Sequence, residues 1–269
     1  MKEDILTQII ANKRKEISRQ MEAVSMKQLE AITSILERTS QNSLSSSIMT
    51  STNGIISEFK RRSPSKGWIN CEADIRKITG GYAQAGAAAL SVLTDNEFFG
   101  GNEGDLMKAR LAAPSTPILR KDFIISEYQI LQSVALQADA ILLIAAALEK
   151  EECKRLAEKA HSYGLEVLLE IHSDEELDYV TDCIDLIGVN NRNLGSFHTD
   201  VENSFCLAEK LPQGIPHISE SGISGADTIL LLRQAGYNGF LMGESFMKTK
   251  NPANELKTLI ERLETAKKP

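Results

Sequence analysis

From residue 54 onward, short and almost wholly apolar runs alternate with longer stretches in which apolar residues recur every three or four positions. The runs are GIISEF (54–59), AALSVLT (88–94), TPILRK (116–121), ADAILLIA (138–145), LEVLLEI (165–171), DLIGVN (185–190), PHISES (216–221) and GFLMGE (239–244). Unbroken apolarity of this length predicts strands covered on both faces. Helical patterns begin near Glu72, Glu103, Ser126, Glu149, Ser173, Asp200, Ser224 and Asn251, several behind a Ser, Asp or Asn suited to an N-cap. Eight strands alternating with eight helices predict parallel βαβ units, and the count selects a closed (β/α)8 barrel, an α/β TIM barrel, over a doubly wound sheet, which fits the alternation nearly as well.

Upstream, Ile5, Ile9, Ile10, Ile17 and Met21, then Leu29, Ile32, Ile35 and Leu36, fall at helical spacings, predicting an amino-terminal helical extension with an apolar stripe. The Ser- and Thr-rich segment 39–53 reads as a surface connection into the main body. One domain is therefore expected, with residues 1–47 as the extension and 48–269 as the barrel.

Composition narrows the function more than the fold. Lys and Arg total 30 against 37 Asp and Glu, a net charge of −7. Nucleic acid is thus an unfavourable partner, and any anionic ligand must be held by local charge. No apolar run approaches the ~20 residues of a membrane span. The amino terminus mixes charges of both signs among its apolar positions, so it is expected to be mature sequence. The scattered cysteines Cys71, Cys153, Cys183 and Cys206 form no CxxC pair, which argues against zinc and disulfides and for a reducing cytoplasm.

In a barrel of this class the carboxyl ends of the strands converge on one mouth. Those ends carry Glu58 and Lys60, Lys121, Glu170, Asn190 and Arg192, and Glu220. Any one of them alone reads as a cap or a solvated loop charge. Together they supply proton donors, proton acceptors and anion holders in one place. The last two strand-to-helix junctions, SESG and MGES, put glycine beside small polar residues, an arrangement that lets backbone N–H groups approach a phosphate.

The segments ISEFKRRSPSKG (56–67), SVLTDNEFFGG (91–101), ILRKDFIISEYQI (118–130), LLEIH (168–172), GVNNRNL (188–194), SESGI (219–223) and GFLMGESFM (239–247) resemble, in order and over nearly the whole chain, the indole-3-glycerol phosphate synthase family of tryptophan biosynthesis. The resemblance implies a carboxy-lyase that converts 1-(2-carboxyphenylamino)-1-deoxyribulose 5-phosphate into indole-3-glycerol phosphate, losing carbon dioxide and water, without metal or organic cofactor. It implies Lys121 as general acid toward the ketone oxygen and Glu170 as stabiliser of the cationic intermediate and proton carrier. Glu58 and Asn190 would hold the departing hydroxyl, Lys60 would contact the substrate's anionic groups, and Glu220 completes the carboxylates. Ser221, Gly222, Gly243 and Glu244 would face the phosphate, with Ser63 and Arg192 also binding substrate. Phe99, Phe123, Leu142, Ile144 and Leu194 would line the aromatic end. A small phosphorylated molecule is the implied partner of a monomer, with other enzymes of the pathway as further associates. The extension would help cover the mouth.

Three further expectations follow. Because a carboxylate beside a phosphate is unfavourable, only the Glu244 backbone N–H is expected to face the ligand. A second lysine nearby would lower the Lys121 pKa, while Glu170, beside cations, should stay ionised. Trp68, on the first loop, is expected to pack on the amino-terminal helices, and His161, His172, His198 and His217 match no catalytic position. The alternatives are phosphoribosylanthranilate isomerase, another phosphate-binding barrel, which calls for a cysteine–aspartate pair, and a silent barrel that binds a phosphorylated metabolite and has no need of Lys121 or Glu170.

Overall fold

The computed structural model describes residues 4–36, 42–193 and 198–266. Eight strands, β1 (Ile55–Phe59), β2 (Ala89–Leu93), β3 (Ile118–Lys121), β4 (Ala140–Ile144), β5 (Glu166–Ile171), β6 (Leu186–Asn190), β7 (His217–Glu220) and β8 (Gly239–Met242), form a closed barrel. Each pairs in parallel with the next, and β8 pairs with β1. Every predicted run is a strand.

Among the described residues three helices precede the barrel: α1 (Ile5–Ala23), α2 (Met26–Ile35) and α3 (Leu44–Thr50). Those around it are α4 (Ile75–Gln84), α5 (Gly104–Ala112), α6 (Glu127–Ala135), α7 (Lys150–Ser162), α8 (Glu202–Ala208), α9 (Ala226–Gln234), the short α10 (Glu244–Met247) and α11 (Pro252–Ala266). The helix expected near Ser173 is only a 3-10 stretch, Glu175–Tyr179. Its next residue, Val180, is extended, and Tyr179 is tethered through its hydroxyl to the Leu148 carbonyl at 3.0 Å, so no α-helical turn propagates.

Side chains two apart on a strand share a face. Ile55, Ile141, Leu143, Val167, Leu169, Ile187 and Val189 turn outward onto the helices, where Tyr82, Leu106, Ile130, Leu156, Ile229 and Leu256 complete the outer core. Ile56, Leu119, Leu142, Leu168, Leu186, Ile218 and Leu241 turn inward and join a second cluster with Leu6 and Ile9 of α1 and Leu44 and Ile48 of α3. The two ends of the barrel interior are thus covered by different helices.

Helix α3 corrects the reading of 39–53 as a surface connection. Residues 39–41 lie outside the described residues, but 44–50 form a helix whose Leu44 and Ile48 are buried. Its first turn docks on Glu166, at the start of β5, which accepts from Ser43 Oγ at 2.7 Å, Ser45 Oγ at 2.6 Å, Ser45 N at 3.1 Å and the Leu44 N–H. The serines that look like linker composition are caps. The stripe of the extension is also only partly covered. Ile9, Ile17 and Leu29 are buried, whereas Met21, Ile32, Ile35 and Leu36 are exposed.

Helix α1 is fixed to the barrel by charge as well as packing. Lys13, 1% exposed, places its ammonium 2.9 Å from Asp122 Oδ1, 3.0 Å from Asp95 Oδ2 and 2.9 Å from Glu16 Oε2. Burial alone would lower the Lys13 pKa, but these carboxylates outweigh it and hold the ammonium charged. Asp122 also accepts from Thr94 and Arg120, and its carboxyl is held at about 2.

Candidate active site

On six of the eight strands the inward row continues past its apolar residue by one more period. Ile56 is followed on the same face by Glu58, Leu119 by Lys121, Leu168 by Glu170, Leu186 by Gly188 and Asn190, Ile218 by Glu220, and Leu241 by Gly243. Register sets their heights: Asn190 pairs with Glu220, and Glu170 with Gly188. Chemistry is therefore stacked directly on the apolar layer.

Two glycines make room for it. A Cβ at Gly188 would lie 2.2 Å from Glu220 Oε1, and one at Gly243 2.6 Å from Glu58 Oε1. A residue with a side chain at either position would push a carboxylate out of the mouth.

The centre is an ion-pair network. Lys121 Nζ donates to Glu170 Oε2 at 2.8 Å and lies 3.5 Å from Glu220 Oε2, while Asn190 Nδ2 donates to Glu170 Oε1 at 3.0 Å. Lys60 Nζ is 2.6 Å from Glu58 Oε1. Burial would lower the Lys121 pKa, but Glu170, Glu220 and Glu58 together hold it above the ordinary lysine value. The expected lowering by a second lysine is not found, because Lys60 arrives already paired with Glu58. Burial pushes Glu170 up, and Lys121 with His172 more than reverses this, so it stays ionised. Glu220 is different: burial dominates, Lys121 compensates only in part, and its carboxyl is pushed up to about 7. Its Oε1 has no hydrogen-bond partner among the described residues.

This network lies in a cavity of about 580 Å3. Lys60, Glu58, Lys121, Glu170, Asn190 and Glu220 all line it, as do Ser63, Arg192, Ser221, Gly222, Gly243, Glu244, Phe99, Phe123, Leu142 and Ile144. Leu194 lies outside the described residues. One flank is apolar, with the Phe99 and Phe123 rings 6.0 Å apart and Ile5, Leu6 and Ile9 of α1 closing over it. The opposite flank carries Ser221 and Gly222, both at positive φ (69° and 74°). For a serine this conformation is strained by about 1–2 kcal/mol. Asn191 holds it by donating to the Ser221 carbonyl at 3.0 Å and is itself fixed by Ser204.

The Glu244 carboxylate lies at the cavity rim, 3.6 Å from both Arg192 Nη2 and Lys66 Nζ. Arg192 also donates to Ser65 Oγ at 2.9 Å. The first loop is a hairpin, Arg62–Ser63 paired with Gly67–Trp68, whose turn brings Pro64, Ser65 and Lys66 to the cavity. Trp68, expected to pack on the amino-terminal helices, is largely exposed. It lies against Gly100, with the Arg62 guanidinium 5.7 Å from its ring.

Sequence reasoning did not single out Lys66, Asn191 or Lys248, whereas the extension expected to help cover the mouth does line it, through Ile5, Leu6 and Ile9 of α1. The signal for Lys66 was its place in SPSKG, and for α1 the apolar stripe, although neither shows which face meets the mouth. None of Cys71, Cys153, Cys183 and Cys206 lines the cavity. Among the described residues no helix is long and apolar enough to cross a membrane.

The fold is shared with 3-hexulose-6-phosphate synthase from Salmonella typhimurium, with a TM-score of 0.62 at 9% identity over 79% of this chain and 99% of that one. Sequence comparison is more specific. The chain is 54% identical over 261 residues to a protein of Bacteroides thetaiotaomicron named indole-3-glycerol phosphate synthase, covering 97% of this chain and 99% of the relative. A Dechloromonas aromatica protein of the same name is 41% identical over 259 residues, 95% and 98% of the two chains. With the family model for indole-3-glycerol phosphate synthase matching residues 6–259, and a mouth in which Lys121 meets buried carboxylates between an aromatic flank and a glycine cradle, this chain belongs to the indole-3-glycerol phosphate synthase family.

Proposed function

We propose that the barrel mouth closes the indole ring of 1-(2-carboxyphenylamino)-1-deoxyribulose 5-phosphate by acid–base chemistry on the side chains described above, with no metal or organic cofactor. The observation that carries this reading is the Lys121–Glu170 contact of 2.8 Å between the aromatic and the glycine-bearing flanks. The aromatic acid lies against Phe99, Phe123, Leu142 and Ile144. The phosphate lies at Ser221, Gly222 and Gly243, with Arg192 and Lys66 released from Glu244 to meet it.

In the first step Lys121 gives a proton to the ketone oxygen as the ring carbon bearing the carboxylate attacks the carbonyl carbon. The ring then carries positive charge, which Glu170 stabilises in a site of low dielectric. Carbon dioxide leaves with the C–C bond broken, and its electron pair restores the aromatic ring. In the second step the new hydroxyl, held by Glu58 and Asn190, leaves as water on protonation, with Lys60 close enough to Glu58 to share that duty. Glu170 takes up a proton as the indole double bond forms.

The silent-barrel alternative leaves Lys121 and Glu170 without a task, and the isomerase alternative lacks a cysteine at the mouth. A monomer in the cytoplasm, in passing association with other enzymes of the same pathway, fits the role proposed. The test is to mix the purified protein with the substrate and follow indole absorbance together with carbon dioxide release. Appearance of both at equal rates is expected, and absence of either overturns the reading.

A further inference from the structure

The proposed reaction leaves a partly buried titratable group beside the catalytic set unused. His172 is the first residue after β5, two positions beyond Glu170. Its Nε2 lies 3.6 Å from Glu170 Oε1, and its Nδ1 lies 3.7 Å from Glu176 Oε2. Neither ring nitrogen has a hydrogen-bond partner among the described residues. The backbone, by contrast, is pinned: the His172 N–H donates to Glu176 Oε2 at 2.6 Å, and its carbonyl accepts from Asn203 Nδ2 of α8 at 3.2 Å. The ring is therefore carried to this position by a fixed backbone and held there by charge.

Three carboxylates act on the ring. Glu170 approaches from β5, Glu176 from the following 3-10 turn, and Glu220 from β7, while α8 contributes only the neutral Asn203. Burial disfavours an imidazolium here, but the three carboxylates outweigh burial and raise its proton affinity above the ordinary value.

The chemistry supplies the need for such a cation. Glu170 must remain anionic while positive charge develops on the substrate, yet Lys121, the cation that donates to it, becomes neutral in the same step. With Glu220 and Glu58 close by, a lone Glu170 carboxylate would then be drawn toward protonation. We infer that His172 is a positioning residue of the reaction, acting through Glu170: its imidazolium keeps that carboxylate ionised during the interval in which Lys121 has given its proton away. This inference rests on the ring-closing function proposed above.

Two variants test it. In His172→Asn the backbone contacts persist and the cation is lost, so the acid limb of the kcat–pH profile is expected to move up by about one unit, with roughly tenfold lower kcat on that limb and KM within about twofold. In Glu176→Gln a carbonyl oxygen remains for the His172 N–H, but the charge that favours the imidazolium is gone, and the basic limb is expected to move down. A uniform loss of kcat with both limbs unmoved signifies a merely structural residue and overturns the inference, as does unchanged kinetics. An NMR titration of the His172 ring in the substrate-free protein separates this from failure of the reaction itself. A ring that is neutral at neutral pH overturns the inference, whereas a charged ring whose removal raises the Glu170 titration upholds the coupling even if no indole product forms.

Discussion

The ammonium of Lys13, in the first helix, lies 2.9 Å from the carboxylate of Asp122, the residue that follows Lys121 in sequence. The helix that walls the aromatic flank is thereby tied to the strand that carries the proposed acid. Removing one partner of a buried ion pair strands the other's charge. Lys13→Met is therefore expected to destabilise the fold by about 3–5 kcal/mol. Because Asp95 loses the same partner, the charge-balanced double change Lys13→Met with Asp95→Asn should recover part of that loss. Chemical denaturation of the three proteins measures this, and equal midpoints for the variants and the parent contradict it.

Glu220 gives the pH dependence of stability a definite sign. An acid whose folded-state pKa is raised binds its proton more tightly when folded, so its favourable contribution is complete below the ordinary 4.5 and is lost as pH rises toward about 7. Glu170 and Asp122, held low, contribute in the opposite direction, adding stability above the ordinary carboxylate range that is lost on acidification. Glu220→Gln removes only the first effect. Relative to the parent, its melting temperature is expected to be similar near pH 5 and higher near pH 8, in proportion to the relieved charge. Calorimetry at the two pH values decides, and a difference independent of pH counts against it.

How much of this was readable from the chain depends on whether a signal was local. The barrel strands were, since a strand buried on both faces is one apolar run, and so were Glu58, Lys121, Glu170 and Glu220, each two positions beyond an inward apolar side chain. Helix α3 was not, because its capping partner Glu166 lies more than a hundred residues away in sequence, and serines without that partner look like a loop. Lys13 gave no hint of burial, as its neutralising carboxylates come from β2–α5 and β3–α6 connections. The sequence does not orient the Glu244 side chain for the same reason: its cations arrive from the first and sixth strand ends. In the sequence Gly188 reads as any strand glycine, because Glu220, which occupies the space of its absent side chain, comes from the neighbouring strand.

The first loop carries its own reporter. Trp68 is the single tryptophan of the chain, and it rests on Gly100, where an added Cβ would come within 2.9 Å of the indole ring. Gly100 also has a positive φ of 64°, which costs a residue with a side chain about 1–2 kcal/mol. Gly100→Ala is expected to lift the hairpin, red-shift Trp68 emission and raise KM several-fold, because Ser63, Ser65 and Lys66 reach the cavity only from that hairpin. Emission spectra and steady-state kinetics report the two effects, and unchanged emission contradicts the displacement.

Lys121→Met separates the acid from everything else that binds substrate. Methionine keeps the length and apolar stem of lysine, and the phosphate and aromatic contacts lie on the two flanks of the cavity, away from Nζ. A donor that acts in the transition state should cost kcat by about 100- to 10,000-fold while changing KM little. The variant also leaves Glu170 and Glu220 facing each other without their shared cation. One proton should then be retained between them at neutral pH, as expected when two carboxylates share a site. Substrate binding by calorimetry, single-turnover indole formation and carboxyl titration by NMR examine the three consequences separately. Undiminished turnover would remove Lys121 from the chemistry, and lost binding with unchanged chemistry would make it a substrate anchor instead of an acid.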